Sequence, residues 1–327
     1  MTDQGRKIGV VLLNMGGPER VEDVEPFLFN LFSDRRIIRL GPRLLQRPIA
    51  WFIARRRAPR SRENYRLIGG GSPLTRFTRN QGMALEKRLT DHGDFTVAPA
   101  MRYWHPRAAE TLHHLHRQAV RHLVALTLYP HYSRATTGSS LLDLREAAAA
   151  FAPGFTIGAV ESWPDHPGYI DSLAASILES TAKFESRDIQ VVYSAHSLPK
   201  KFVEEGDPYA DHLQRTIRAV EARTNLTGRL CYQSRSGPVE WLTPSTPEML
   251  ATLKREGCRN LLMVPLSFVS DHIETLYEID ILYRNMARDL GMRLERTESL
   301  NLRPAFIESL KDLVLTEVAA QGWGKAR

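Results

Sequence analysis

The sequence predicts an α/β protein with two domains, each built on a four-stranded parallel sheet flanked by helices. Eight short runs rich in β-branched and apolar residues alternate with helix-like stretches along the 327 residues. Such alternation implies parallel sheets with right-handed crossovers. Several of the runs are continuously apolar, as strands buried on both faces are. A chain of this length is also longer than one hydrophobic core usually serves.

The predicted strands form two series of similar spacing. They begin near residues 7, 95, 122 and 155 in the first half, and near 188, 229, 260 and 293 in the second. The first gap is longer than its counterpart by about fifty residues, which indicates an insertion at about 26–75. We therefore expect a first domain over 1–160 that carries this insertion. A second domain is expected over 161–327, with its C-terminal helix packing back on the first.

Composition favours a soluble cytoplasmic protein, with 43% apolar and 25% charged residues. The apolar runs are far shorter than a membrane-spanning helix, and the N-terminal segment has neither a signal-peptide nor a transit-peptide pattern. The two cysteines, Cys231 and Cys258, give no disulfide framework. They also cannot supply the four thiolates of an iron–sulfur cluster, so we expect no such cluster.

The net charge of +7 is concentrated in one segment. Residues 35–66 contain eleven arginines and a single acid, Glu63, and so carry +10, while the rest of the chain carries −3. A local feature of this kind argues against a broad basic surface for nucleic acid. Nucleotide binding is also disfavoured, because GGPE at 16–19 and GGGSP at 69–73 lack the Lys-Ser/Thr ending of a phosphate-binding loop.

Polar, aromatic and glycine- or proline-rich clusters follow the predicted strands. Open α/β sheets bind ligands beyond the carboxyl ends of their strands. Two such sheets facing each other would form a cleft lined by these clusters, in which aromatic residues and histidines are dense. The lining suits a large, flat, partly apolar ligand.

The segment SDHIETLYEID, residues 270–280, carries the strongest chemical signal. If a helix begins near Ser270, then Asp271, Glu274 and Glu278 share one face, while Ile273, Tyr277 and Ile281 lie nearer the other side and could pack. Acids in a first helical turn are favoured by the helix dipole, so a solvated acidic face explains most of this pattern. Glu278 lies two turns from the start of the helix, where the dipole stabilises an acid little. Its presence therefore indicates a metal or proton-handling site.

His196 leaves a predicted buried strand in SAHSLP, residues 194–199. A histidine there is often a hydrogen-bonded part of the scaffold, but imidazole also accepts protons reversibly near neutral pH. Placed opposite Glu274, His196 would form a mixed nitrogen and oxygen site with a built-in base. Such a site would bind a divalent metal weakly enough to release it.

The chain resembles the ferrochelatase family over roughly residues 8–318. The resemblance rests on these ordered segments: LLNMGGPE, FNLFSDRRII, RRRAPRSRENYRLIGGGSPL, MRYWHP, TLYPHYSRATTGSS, YSAHSLP with GDPY, PVEWLTP and SFVSDHIETLYEID. It implies two Rossmann-like domains of the chelatase type with a porphyrin held between them. It also implies a lyase that inserts Fe²⁺ into protoporphyrin IX to form protohaem, with release of two protons, as the last step of haem biosynthesis.

The resemblance also assigns residues. It implies that His196 and Glu274 are the catalytic pair and the metal ligands, supported by Asp271 and His272, with Glu278 as a relay. It places Met15, Arg102, Tyr103, Trp241 and Phe268 around the porphyrin, and we add Tyr132 from the aromatic residues at the strand exits. Iron is expected as a substrate rather than a permanently bound cofactor.

Two positions bear on substrate and mechanism. Met15 stands where members that use coproporphyrin III tend to carry tyrosine, and therefore favours protoporphyrin. Leu282 stands where many relatives continue the acidic series after Glu278, which puts a long carboxylate relay in doubt.

The arginine-rich segment predicts a membrane-facing helix. Leu45, Ile49, Phe52 and Ile53 recur at helical spacing with arginines beyond them, as in a basic amphipathic helix suited to an anionic surface. The alternative is an ordinary helix packed on its own domain. We expect residues 42–60 to hold the protein peripherally on the inner face of the membrane, where protoporphyrinogen oxidase could hand over the porphyrin.

Two other functions stay open from the sequence. One is a chelatase for another porphyrin or metal, such as coproporphyrin III or cobalt. The other is a carrier that binds haem or metal without catalysis.

Overall fold

A computed structural model describes residues 7–323 except 236 and 238. Ser236 and Pro238 belong to the motifs QSRSGP and PVEWLTP, which therefore lie partly outside the described residues. The chain forms two compact units, residues 1–163 together with 306–327, and residues 164–305. Each contains one four-stranded sheet in which all neighbouring strands are parallel.

The sheet of the first unit has the order β2-β1-β3-β4. Its strands are β1 (Ile8–Asn14), β2 (Phe95–Met101), β3 (His122–Thr127) and β4 (Thr156–Val160). Its helices are α1 (Val24–Ser33), α2 (Gln46–Leu67), α3 (Leu74–Leu89), α4 (Ala108–Arg117) and α5 (Ser139–Ala148), with a π-helix at Arg134–Gly138. Every residue of β1 is buried, as expected for a strand covered by helices on both faces.

The sheet of the second unit has the order β6-β5-β7-β8, which repeats the order of the first. Its strands are β5 (Gln190–His196), β6 (Gly228–Gln233), β7 (Asn260–Pro265) and β8 (Arg293–Arg296). Its helices are α6 (Pro167–Thr181), α7 (Lys200–Glu204), α8 (Tyr209–Thr224), α9 (Thr246–Arg255) and α10 (Arg284–Asp289), with a π-helix at Glu274–Tyr283. The predicted fold class, with two similar α/β halves, is confirmed.

The C-terminal helix α11 (Pro304–Ala320) joins the first unit from Phe306 onwards. Glu317 accepts a hydrogen bond from the backbone N–H of Ala159 at 3.1 Å, and so satisfies a donor on the edge strand β4. The ring of Phe306 lies 6.2 Å from that of Trp163.

The two glycine motifs pack against each other at the carboxyl end of β1. The backbone N–H of Ser72 donates to the carbonyl of Pro18 at 2.6 Å. A Cβ on Gly17 would lie 2.6 Å from the Ser72 side chain, and one on Gly71 would lie 2.1 Å from the carbonyl oxygen of Glu19. Only glycine permits so close an approach, so these motifs join two loops.

Candidate active site

His196 is held at the carboxyl end of β5 by its own backbone. Its N–H donates to the Ser267 hydroxyl at 2.7 Å, and its carbonyl accepts from the Tyr209 hydroxyl at 3.0 Å. The Tyr209 and Ser267 hydroxyls are themselves 2.7 Å apart. This clamp fixes where the strand ends and leaves the imidazole 36% exposed.

The imidazole of His196 is paired with Glu274, the first residue of the second π-helix. Its Nδ1 lies 2.9 Å from Oε1 of Glu274, whose side chain is only 7% exposed. The other carboxylate oxygen accepts a hydrogen bond from the Gln233 amide at 2.9 Å. The ring of His272 approaches the same pair, with its Nε2 3.7 Å from Oε1 of Glu274. The two residues expected to be catalytic are therefore in direct contact.

Electrostatics favour an ionised carboxylate beside an imidazole that holds a proton more tightly than usual. Burial alone would lower the pKa of His196, but the charge and hydrogen bond of Glu274 outweigh it and raise that pKa above its ordinary 6.5. Burial would raise the pKa of Glu274, but His196 and His272 bring it well below its ordinary value. Such opposite shifts at two adjacent groups are those of an ion pair in which each partner favours the charged form of the other.

Glu278 is a second, partly buried acid, one turn further along the π-helix. Burial, assisted by the negative charge of Glu274, raises the pKa of Glu278 to about 7. The hydroxyl of Ser234, just beyond β6, donates to it at 2.7 Å and partly opposes that rise. Glu278 can therefore gain or lose a proton near neutral pH.

The helix that carries these acids differs from the one predicted. It begins at Ile273 rather than near Ser270, and residues 274–283 form a π-helix. The wider turn, with hydrogen bonds from i to i+5, moves the buried side chains to Thr275, Ile279 and Tyr283. Ile273, Tyr277 and Ile281, which the sequence suggested could pack, are for this reason only partly buried.

Asp271 lies before the helix and does not share a helical face with the two glutamates. Its carboxylate accepts hydrogen bonds from Ser299 at 2.7 Å and Asn301 at 2.8 Å, and pairs with Arg296 at 3.1 Å. Burial opposes ionisation, but these partners bring the pKa of Asp271 below its ordinary value. Asp271 therefore anchors the start of the helix. Asp280 is held in the same way by two bonds to Arg296.

Two predicted aromatic residues lie near this cluster in the second unit. The ring centroid of Phe268 is 4.1 Å from that of His272, and Nδ1 of His272 is 3.1 Å from the carbonyl of Ser270. Because that carbonyl can only accept, Nδ1 carries the proton. Trp241 forms an antiparallel bridge with Pro199, which places it beside the segment that follows His196.

A permanent metal site is not formed by the residues that the structure describes. No group of three or more His, Cys, Asp or Glu side chains among them could hold a metal ion. His196 and Glu274 provide two donors of the nitrogen and oxygen types that suit divalent transition metals.

In the first unit, Arg102 and Tyr103 converge on Asp34. One oxygen of Asp34 accepts hydrogen bonds from Arg102 and the Tyr103 hydroxyl at 2.8 Å each, and from Ser139 at 2.7 Å. Arg102 also reaches Asp143 at 3.3 Å. Tyr103 is only 2% exposed. The polar groups of both predicted porphyrin residues are thus engaged within the protein.

Met15 and Tyr132 are partly exposed and lie in loops that follow β1 and β3. The carbonyl of Met15 accepts a hydrogen bond from the N–H of Tyr103 at 3.0 Å. The expected porphyrin residues therefore form two groups, one in each unit. Their contacts with the ligand stay a prediction.

Helix α2 packs on α1 through alanines and leaves large apolar side chains exposed. Ala50 and Ala54 are buried against Phe32. The predicted stripe is divided, because these small residues let α1 approach closely and draw Ile49 and Ile53 partly inward. On the outer surface, Leu44 is 91%, Leu45 49%, Trp51 50% and Phe52 59% exposed.

Three residues that hold the side chains of the candidate site in place were not identified from the sequence. Gln233 and Ser234 contact the two glutamates from the end of β6, and Asp34 organises Arg102 and Tyr103. The position of QS at a strand exit was a usable signal for the first two. Asp34 carried none, because its partners lie 68 and 69 residues further along the chain.

Comparisons with known proteins agree over nearly the whole chain. A family model described as Ferrochelatase matches residues 7–318. A curated protein named Ferrochelatase from Desulfotalea psychrophila (strain LSv54 / DSM 12343) is 56% identical over 307 residues, which cover 94% of this chain and 96% of that protein. A second, from Geotalea uraniireducens (strain Rf4), is 50% identical over 318 residues, which cover 96% and 99%.

Solved structures share the fold at low sequence identity. SirB from Bacillus subtilis with Fe³⁺ aligns with a TM-score of 0.60 and 8% identity, over 97% of this chain and 98% of that one. CbiX, described as the terminal enzyme for biosynthesis of sirohaem in denitrifying bacteria, aligns with a TM-score of 0.51 and 11% identity, over 95% and 99%. At such identities the likeness concerns the fold alone.

Proposed function

The chain belongs to the ferrochelatase family, enzymes that insert iron into a porphyrin in haem synthesis, and we propose that His196 and Glu274 form its catalytic pair. The observation that carries this proposal is the 2.9 Å contact between His196 Nδ1 and a buried, ionised Glu274. Because the carboxylate can only accept a hydrogen bond, Nδ1 keeps its proton and Nε2 presents a lone pair.

The pair accounts for the removal of protons from the porphyrin. Metal insertion must take two protons from pyrrole nitrogens, and Nε2 of His196 is the base that accepts them. Glu274 stabilises the imidazolium formed at each transfer. Glu278, whose raised pKa is about 7, is suited to exchange protons with the pair as a relay.

The same pair serves as the transient site of the substrate cation. Imidazole nitrogen and carboxylate oxygen are donors that bind Fe²⁺ without the soft thiolates that retain it, and His196, with Nδ1 bonded to Glu274, offers Nε2 to the cation. His272 supports the pair from 3.7 Å, and Asp271 fixes the start of the helix that bears Glu274. Leu282, where a third acid would extend the series, is 39% exposed, so the proposed relay ends at Glu278.

Protoporphyrin IX is the proposed substrate, with coproporphyrin III as the alternative. Met15 supports this choice, because an apolar side chain suits the less carboxylated porphyrin. We propose that Met15, Tyr132, Trp241 and Phe268 contact the macrocycle. Arg102 and Tyr103 are proposed to contact the macrocycle as well, from the loop after β2, where both are held by Asp34.

A peripheral membrane location is proposed from the surface of α2. No helix among the described residues is long and apolar enough to cross a membrane. The exposed Leu44, Leu45, Trp51 and Phe52 lie beside arginines, and Arg55 stacks over Trp51 at 5.4 Å. Apolar side chains flanked by arginines suit an anionic bilayer surface. A protein held there on the cytoplasmic side could receive its porphyrin directly from protoporphyrinogen oxidase.

Docking is tested by sedimentation with anionic liposomes. Binding should weaken with salt and with Phe52→Glu, but not with Leu178→Glu, which changes an equally accessible apolar residue of the second unit (47% exposed). Salt-insensitive binding, or none, would favour a helix that only packs on its own unit.

The enzymatic proposal is tested by anaerobic mixing of the protein with Fe²⁺ and either protoporphyrin IX or coproporphyrin III. The haem Soret band should appear with many turnovers, and faster with protoporphyrin IX. A single stoichiometric change would indicate a carrier, and faster turnover of coproporphyrin III would overturn the choice of substrate.

A further inference from the structure

Gln233 is placed beside the catalytic pair by the register of the second sheet. The parallel pairing of β5 with β6 sets Gln233 opposite His196. The residue is 4% exposed, so its amide groups depend on protein partners. Its Nε2 donates to Oε2 of Glu274 at 2.9 Å, and its Oε1 accepts from the Ser194 hydroxyl at 2.6 Å.

The Ser194 contact stabilises one orientation of the amide. An ionised carboxylate accepts hydrogen bonds only, so the amide NH₂ must face Glu274 and the amide oxygen must face away. The Ser194 hydroxyl, itself buried, donates to that oxygen. Ser194, Gln233 and Glu274 thus form a chain of donors and acceptors with one consistent direction.

This chain gives the two oxygens of Glu274 different tasks. Oε2 is occupied by Gln233, whereas Oε1 faces His196 at 2.9 Å and His272 at 3.7 Å. We propose that Gln233 is a positioning residue that fixes the plane of the carboxylate, so that Oε1, which accepts the bond from His196, keeps its second acceptor position in place for the incoming cation. This inference rests on the proposed role of Glu274 as a metal ligand, and adds that Gln233 orients its carboxylate.

The test separates use of the metal from use of the porphyrin. Gln233→Met keeps the length of the side chain but removes the donor. A hydrogen bond to a charged group governs binding by roughly tenfold to a hundredfold. The KM for Fe²⁺ should therefore rise by about that factor, while the KM for protoporphyrin IX stays within about twofold.

Ser194→Ala supplies a second variant that leaves Gln233 in place. It should raise the KM for Fe²⁺ in the same direction but less. In the double variant it should add nothing to Gln233→Met, because Ser194 acts through the amide. If Gln233→Met does not fold, as judged by circular dichroism, the KM of Ser194→Ala decides, and an unchanged KM for Fe²⁺ overturns the proposal.

Gln190→Met is the matched control. This amide lies at the opposite end of β5 and donates to the carbonyl of Val191 at 2.9 Å, so its loss should leave both KM values unchanged. Equal rises in both KM values for Gln233→Met, or additive effects with Ser194→Ala, would refute positioning. Absence of turnover in the wild type would instead refute the proposed function itself.

Discussion

Glu278→Gln should remove a partly buried acid whose ionisation opposes folding. Burial and the negative charge of Glu274 raise the pKa of Glu278 from 4.5 to about 7. The ionised form therefore costs the folded protein about 3 kcal/mol, since a tenfold change in proton affinity corresponds to about 1.4 kcal/mol. Glutamine keeps the shape and can still accept the bond from Ser234.

The direction of the pH dependence of stability is set by whether the folded or the unfolded chain holds the proton of Glu278. Between pH 4.5 and about 7 the folded chain keeps a proton on Glu278 that the unfolded chain has released. The free energy of unfolding of the wild type therefore falls as pH rises through this window. The stability that the folded chain gains by keeping this proton is fully present below pH 4.5 and lost above about pH 7. Relative to the wild type, Glu278→Gln should gain about 3 kcal/mol across the window.

The assay is urea unfolding followed by tryptophan fluorescence, with wild type and variant compared at the same pH. Asp289→Asn is the control, because it removes a carboxylate that is 74% exposed at the end of α10. Its effect should stay below about 0.5 kcal/mol at every pH. If the plots of unfolding free energy against pH for wild type and Glu278→Gln run parallel from about pH 5 to about pH 8, Glu278 does not titrate in this range. That result would contradict its raised pKa.

Four further predictions concern the catalytic pair, the pH dependence of activity, Asp34 and Gly71. His196→Ala and Glu274→Gln should each reduce single-turnover haem formation by at least about a hundredfold with unchanged circular dichroism, and near-normal rates would remove that residue from the mechanism. The wild-type kcat/KM should rise with pH through a pKa above 6.5, because the base must be unprotonated, and a flat profile would contradict this assignment. Asp34→Asn should lower the free energy of unfolding by about 2 kcal/mol in urea titrations, since the partly buried Arg102 loses the nearer of its two carboxylate partners. Gly71→Ala should lower the melting temperature by several degrees, because its Cβ would lie 2.1 Å from a backbone oxygen, whereas Gly154→Ala, with ordinary contacts, should not.

The sheets were predictable because buried parallel strands leave a strong pattern. Each of the eight predicted runs begins within about two residues of an observed strand. The insertion was also visible, since the gap before β2 breaks a spacing that the second half repeats. In a chain whose strands alternate with helices, a short continuous apolar run such as NLLMVP indicates a strand buried on both faces.

The geometry of the acidic helix could not be predicted from the same kind of pattern. Apolar spacing distinguishes helix from strand, but an α-helix and a π-helix differ by less than one residue per turn. The pattern therefore singled out Glu274 and Glu278, but it did not show that Thr275, Ile279 and Tyr283 are the side chains buried beside them. It placed Asp271 with them, whereas hydrogen bonds to Ser299 and Asn301 hold Asp271 before the helix.

The first unit shows what a repeated topology leaves undetermined. Both sheets have the same strand order, and in both a π-helix follows the third strand along the chain. The strand exits nevertheless differ, because Arg102 and Tyr103 bind Asp34, which ends α1 inside the insertion. Helix α2 packs on α1 through Ala50 and Ala54, which contact Phe32. The insertion therefore supplies both the exposed apolar surface of α2 and the acid that fixes the loop after β2. A change at Asp34 should consequently affect the loop after β2, a dependence on the insertion that the repeat alone would not indicate.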